Sequence, residues 1–184
     1  MAEEFGNAFS MSKLAGLSAD SLRDRFGDAF LVIQGQATPA PSRGDDDATH
    51  DTVETMGVGA GALSAPVRGL VWVVVKKPAS TFAWVSVGRH ENNDIYMPHQ
   101  SVSRFHALIR EDHGVHLLHD AKSANGTAID GLAVPTHGRG AGAVMKAGAV
   151  VRFGEIITVF LDGLGIRELS ARTPSGGPMT GVGR

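Results

Sequence analysis

From Gly69 to Leu161 the chain alternates between short apolar, β-branched runs and turn chemistry, and this rhythm restricts its fold more than any other feature. Leu70–Lys76 is a β-branched run, Phe82–Val87 alternates toward Gly88, and Ile95-Tyr96-Met97 ends at Pro98. Phe105–Arg110 and Val115–His119 flank Glu111-Asp112-His113-Gly114, which has the chemistry of a hairpin turn. Thr127–Ile129 leads through Asp130-Gly131 into Leu132-Ala133-Val134, and Val150–Phe153 and Ile156–Leu161 close the series across Gly154-Glu155. Many short strands, frequent turns and no helix of length within the series predict an all-β sandwich of two mainly antiparallel sheets. Residues 136–149, rich in Gly and Ala, break the rhythm and read as a surface excursion before the last strands.

The flanks have a different texture. Residues 1–35 read as an amphipathic N-terminal segment outside the core. Within it Ser18 caps a short helix whose Leu22, Phe26 and Phe30 fall four apart on one face, and Phe30-Leu31-Val32-Ile33 follows as a brief apolar run. Such a segment packs on the main domain or on a partner. Residues 36–66 read as a disordered acidic linker, poor in bulky apolar residues and centred on Asp45-Asp46-Asp47. Residues 67–170 form the expected domain, and the Gly- and Pro-rich residues 171–184 a disordered tail. The N-terminal arm is thus expected to be partly helical and partly disordered.

Charge and composition narrow the function classes. Residues 1–66 carry ten Asp/Glu against four Lys/Arg, whereas residues 67–170 carry nine against eleven, within a net charge of −2. That small basic excess does not make the stripe a nucleic-acid binder needs, so no nucleic-acid partner is expected. There are no cysteines, hence no disulfide framework and no thiolate metal site. The longest wholly apolar run, Leu70–Val75, is too short to cross a bilayer, and Met1-Ala2-Glu3-Glu4 lacks the basic start of a secretory signal. A soluble cytoplasmic protein with no membrane partner is the expectation. His113, His116 and His119 invite a metal reading, but alternation on a strand sends 116 to the face opposite 113 and 119, so no metal site is expected. No activated nucleophile or carboxylate pair stands out, and neither an enzyme nor a cofactor is expected.

Four polar signatures sit between the apolar runs: Gly88-Arg89, Asn93-Asp94, Ser103-Arg104-Phe105-His106 and Asn125-Gly126-Thr127. Inter-strand loops of a sandwich gather at its ends, so residues distant in sequence meet there. A phosphate dianion needs a guanidinium fork and several short donors. Arg89 follows the glycine that ends a strand, Ser103 and Arg104 precede the next long strand, and Asn125 precedes Thr127.

Each signature is common by itself, but the ordered set resembles the forkhead-associated (FHA) domain. The similarity runs from Gly88-Arg89 through Asn93-Asp94, Ser103-x-x-His106, Asp120, Asn125-Gly126-Thr127 and Asp130-Gly131 to Lys146–Gly154, and spans residues 70–162. The resemblance implies an FHA-like β-sandwich that binds phosphothreonine within Ser/Thr kinase signalling. It implies that Arg89 grips the phosphate, Ser103 donates its hydroxyl, Arg104 reaches the ligand from a variable position, and Asn125 holds the peptide main chain. His106 becomes a brace between loops, and Gly88, Gly126 and Gly131 turn residues, with Thr127 completing the motif. Ala124 stands where family members often carry a phosphate-binding hydroxyl, and Lys122 is the nearby candidate to compensate. His90 and His99 are candidates to line the rim and tune affinity below pH 7.

The acidic stretch Asp45–Met56 holds Thr49, Thr52 and Thr55. It resembles the threonine-bearing tails of some bacterial single-FHA regulators, in which phosphorylation lets the tail dock on its own FHA domain. Thr52 and Thr55 are the candidate phosphosites, and the partner is then either a Thr-phosphorylated protein or the chain's own N-terminal arm. The competing expectation is a phosphate-independent scaffold or adaptor, using the sandwich faces or the Leu22–Phe26 surface, in which Arg89 is dispensable.

Overall fold

The fold is that of a computed structural model, which describes residues 7–14, 16–36 and 69–172. Short β-branched segments form β1 (Phe9–Ser10), β2 (Phe30–Gln36), β3 (Leu70–Val73), β4 (Val85–Gly88), β5 (Ile95–Tyr96) and β6 (Ala107–Asp112). They continue as β7 (Val115–Asp120), β8 (Thr127–Ile129), β9 (Leu132–Ala133), β10 (Ala143–Met145), β11 (Val150–Phe153) and β12 (Ile156–Leu161), with helices α1 (Ala19–Phe26) and α2 (Gly163–Arg172). The strands make a seven-stranded sheet, β1-β3-β2-β12-β11-β8-β9, and a five-stranded sheet, β10-β7-β6-β4-β5. Every strand pair is antiparallel except β4 with β5. The all-β sandwich expected from the rhythm is therefore the fold. Two hairpins turn on two residues with positive φ, His113-Gly114 (50° and 80°) and Asp130-Gly131 (50° and 83°), the geometry whose twist matches the strands it joins.

The inner faces of the two sheets meet over Leu31, Ile33, Trp72, Val87, Ile109, Leu118, Val151, Phe153 and Phe160, all buried. Trp72 satisfies its indole N–H on the carbonyl of Tyr96 at 3.2 Å, and Asn7 donates to Asp94 O and accepts from Tyr96 N at 2.7 and 2.8 Å. These bonds close the sandwich where the edge strands β1 and β5 would otherwise gape.

The outer face of the seven-stranded sheet is also covered. Met11, Leu14, Leu22, Phe30, Val32, Val71 and Ile166 form a second buried cluster between that face and the two helices. Ser18 caps α1 as expected, its Oγ accepting the Ser21 N–H at 3.1 Å. Full burial of Leu22 stabilises by about 1.5–3 kcal/mol.

The structure corrects the division of the chain at several points. Residues 1–35 are not set apart from the core: Phe30–Gln36 is an interior strand, paired with β12 on one side and β3 on the other. Phe30 does not share a helix face with Leu22, because α1 stops at Phe26 and Gly27 turns at φ 85°. The expected linker lies almost wholly outside the described residues, as do Thr52 and Thr55, but its first residue, Gln36, belongs to β2. The acidic segment therefore connects two neighbouring strands and is not a terminal arm. The excursion at 136–149 contains β10, which pairs with β7 along Ala143–Met145. Finally, α2 extends to Arg172, past the expected start of the tail, and residues 173–184 lie outside the described residues.

A chain trimmed to residues 67–184 lacks β2 and α1, and is expected to lose the cooperative thermal transition that the full chain shows by circular dichroism. A trimmed chain melting like the full one would contradict the interior placement of Phe30–Gln36.

Candidate functional site

Four connections converge at one end of the sandwich: the turn after β4, the loop before β6, the loop between β7 and β8, and the β11–β12 turn. The Arg89 N–H donates to Ser103 O at 2.9 Å, Gly154 N–H to Gly126 O at 3.1 Å, and Glu155 N–H to Ser101 Oγ at 2.9 Å. An open cleft of about 410 Å³ lies among them, lined by Arg89, Gln100, Ser101, Val102, Ser103, Arg104, Phe105, Ala124 and Asn125. No carboxylate is among the described residues that line it. Arg89 and Arg104 are exposed, and neither enters an ion pair among the described residues.

His106 holds the cleft together. Buried and at the start of the β6 pairing, it accepts the Ser103 N–H on Nδ1 at 2.9 Å and meets Gly126 O with Nε2 at 3.2 Å. Accepting on Nδ1 places the proton on Nε2, which donates to the carbonyl. One neutral ring thus ties the Ser103 loop to the Asn125 loop. Burial pushes its pKa below the ordinary 6.5, a fall that the Gly126 bond and the Asp120 charge oppose and the Arg152 charge assists.

The donors have the valences that anion recognition requires. Ser103 Oγ accepts the Ala124 N–H at 2.9 Å, leaving its own hydrogen free. Asn125 uses one amide hydrogen on Ser101 O at 2.8 Å, leaving its other hydrogen and its oxygen for a ligand backbone. The loop that carries Asn125 is shaped by Asp120, whose carboxylate accepts from Thr127 Oγ1 at 2.7 Å, from Ser123 Oγ at 2.5 Å and from Ser123 N at 3.0 Å.

Gly88 is required by a close approach. A Cβ there would collide with the Arg104 carbonyl and come within 2.7 Å of Asn93 Nδ2. That amide donates to Arg104 O at 2.7 Å and to His90 O at 2.8 Å, fixing the main chain beneath both arginines. The neighbouring Asp94 carboxylate accepts from Lys77 N at 2.8 Å, Ser80 Oγ at 3.0 Å, and Ser86 N and Oγ at 2.8 Å. Burial raises the Asp94 pKa, but the bonds from Ser86, Lys77 and Ser80 outweigh it, and the carboxyl is held below its usual range.

The structure brings Arg89, Ser103, Arg104 and Asn125 to one cleft. Gly126 sits behind it at φ 71°, and buried Thr127 ties the loop to Asp120. Lys122, three residues before Asn125, is exposed at φ 60° and is not among the residues that line the cleft. Gly131 is at the far end of β8, in the hairpin turn to β9. His90 and His99 are likewise absent from the lining. His113 lies in a turn and not on a strand, whereas on β7 His116 lies at a tilt near Phe160 and His119 at a tilt near Trp84.

Sequence reasoning gave no binding role to Gln100, Ser101, Val102 and Phe105, or to Asn93 and Asp120 as organisers. The last two stand in the motif already quoted. Phe105 stands inside the quoted Ser103–His106 signature without a role of its own, and Gln100, Ser101 and Val102 had no signal beyond their nearness to Ser103.

Loop ends joined by hydrogen bonds, with two guanidiniums outside any ion pair and no acid among the described residues lining the cleft, fit a β-sandwich interaction module for anionic partners. The family model described as the FHA domain matches residues 85–154. The chain is 30% identical over 126 residues to the oxoglutarate dehydrogenase inhibitor of Corynebacterium diphtheriae, covering 61% of this chain and 84% of the inhibitor. The chain belongs to the FHA-domain family. It is also 37% identical over 79 residues, 43% of this chain, to an ABC transporter ATP-binding/permease protein of Mycobacterium tuberculosis, of whose length it spans only 8%. A solved structure from a structural and functional analysis of phosphothreonine-dependent FHA domain interactions is 19% identical, covers 73% of this chain and 95% of its own, and has a TM-score of 0.46. FHA domains are interaction modules, not enzymes, and bind phosphothreonine peptides.

Neutral His106 makes the fold sensitive to acid. Its folded pKa lies below the unfolded 6.5, so its contribution is complete above that value and is lost as pH falls through it to the folded value. His116 and His119 are lowered in the same direction, chiefly by burial, and add to the slope. Urea unfolding between pH 7.5 and 5 is expected to show a smaller loss of stability for His106→Asn than for wild type; equal slopes would refute the role of His106.

Proposed function

We propose that this protein reads phosphothreonine on a partner protein, or on itself, downstream of a Ser/Thr kinase. The observation that carries this reading is the cleft itself: Arg89 and Arg104 stand exposed and unpaired beside the free hydroxyl hydrogen of Ser103 and the half-used amide of Asn125. Arg89 supplies the guanidinium fork and Ser103 a short donor to the phosphate. Arg104 adds positive charge at the rim, and Asn125 aligns the peptide backbone. Two arginines offset the absence of a hydroxyl at Ala124. The ligand binds without covalent change.

The self-regulated form of this reading gains support from topology. Gln36 pairs with Ile156, one residue beyond the Gly154-Glu155 turn at the cleft, and β3 returns antiparallel beside β2. Both ends of the segment carrying Thr52 and Thr55 thus leave the sandwich at the cleft end. Thr52 is sixteen residues from Gln36, and about 50 Å of extended chain is ample reach. Tethering of this kind gives effective concentrations on the order of millimolar. Likeness to an oxoglutarate dehydrogenase inhibitor supports a second reading, in which the sandwich binds an enzyme or other partner without phosphate.

Arg89→Ala separates the two. Removing the guanidinium that pairs with the phosphate is expected to cost about 2–5 kcal/mol, a loss of about 30-fold to several thousandfold in affinity for a phosphothreonine peptide. The unphosphorylated peptide binds neither protein. Equal binding by wild type and Arg89→Ala would leave the phosphate-independent reading.

Phosphorylation by a Ser/Thr kinase at Thr52 or Thr55 is expected to lower the affinity of the full chain for an added phosphothreonine peptide, and replacing both with Ala to restore it. Unchanged affinity after stoichiometric phosphorylation would rule out self-docking.

A further inference from the structure

The cleft has one wall that phosphate recognition does not use. Phe105, between Arg104 and His106, lines it, and Phe82 stacks on Phe105 with ring centroids 4.9 Å apart and planes 21° from parallel. Both rings are only half-buried. Phe82 belongs to the β3–β4 connection, which buried Asp94 anchors at Lys77 and Ser80 while also holding Ser86 of β4, and Lys77 Nζ donates to Glu91 O and Asn93 O. Asn93 in turn fixes the Arg104 carbonyl. The polar network that positions the arginines thus also anchors the loop that presents the aromatic pair, and charge and apolar surface are mounted on one frame.

We infer that the stacked pair Phe82–Phe105 forms an apolar subsite beside the phosphate position, selecting phosphothreonine peptides that carry an aromatic or long aliphatic side chain next to the phosphothreonine. This rests on the phosphothreonine reading and names the class of peptide it takes. The occupant follows from continuity with the cationic cleft: a chain whose phosphate sits between Arg89 and Arg104 runs alongside Phe105, and Phe82 backs that ring so that it presents one fixed face. An acidic side chain gains nothing there, since a ring presents its electron-rich face. An apolar side chain covers surface that water otherwise wets.

The test uses the full chain and a phosphothreonine peptide library randomised at the positions flanking the phosphothreonine, followed by fluorescence anisotropy on two peptides differing only by Leu against Ser at the selected position. Wild type is expected to prefer the apolar peptide by about three- to tenfold. In Phe82→Ala, and in Phe105→Ser if it folds, the ratio of the two affinities falls toward one. Phosphate-dependent binding without an apolar preference, or a preference unchanged in Phe82→Ala, overturns the subsite and leaves the phosphothreonine reading intact. Absence of phosphate-dependent binding in wild type overturns both.

Discussion

The candidate site depends on one buried imidazole. His106 accepts from the Ser103 main chain and donates to that of Gly126, so one buried side chain bridges the two loops that must act together. The remaining bonds elaborate it: Ala124 N–H to Ser103 Oγ, Asn125 to Ser101, and Gly154 to Gly126. An interior imidazole serves this purpose better than a lysine or a carboxylate. It offers an acceptor and a donor on opposite edges while remaining uncharged in a site where a charge would be costly. Among the described residues that line the cleft, the charged side chains are the exposed guanidiniums of Arg89 and Arg104.

A rigid platform lies under those loops. The seven-stranded sheet needs Phe30–Gln36 in its interior, and its outer face needs the helical layer built around Leu22 and Ile166. The family match at residues 85–154 therefore covers the binding loops but not the strands and helices that complete the sheet behind them. Stability and recognition are carried by different stretches of the chain, and a fragment chosen for its motifs alone leaves an open sheet.

Much of this was legible in the sequence. The strand rhythm from Leu70 to Leu161 reads directly because turn residues punctuate it, and the two-residue turns at His113-Gly114 and Asp130-Gly131 are local events. Arg89, Ser103 and Asn125 were legible because each stands at a strand boundary. β2 was not: Phe30-Leu31-Val32-Ile33 is a short apolar run with no alternation, and its partners begin at Leu70 and Ile156, far beyond any local window. Lys122 shows the limit of nearness in sequence, for it stands three residues from Asn125 and is not among the residues that line the cleft. The aromatic pair was hidden for the same reason as β2, since Phe82 and Phe105 meet only through the β3–β4 connection that Asp94 holds.

The most direct test of the central claim is a pair of amide NMR titrations of the full chain, one with a phosphothreonine peptide and one with the same peptide unphosphorylated. The account predicts shifts confined to Arg89, Ser103, Arg104, Ala124, Asn125 and their neighbours, and only with the phosphorylated peptide. Shifts concentrated on the helical layer or the sheet faces, or the same shifts from both peptides, would contradict it.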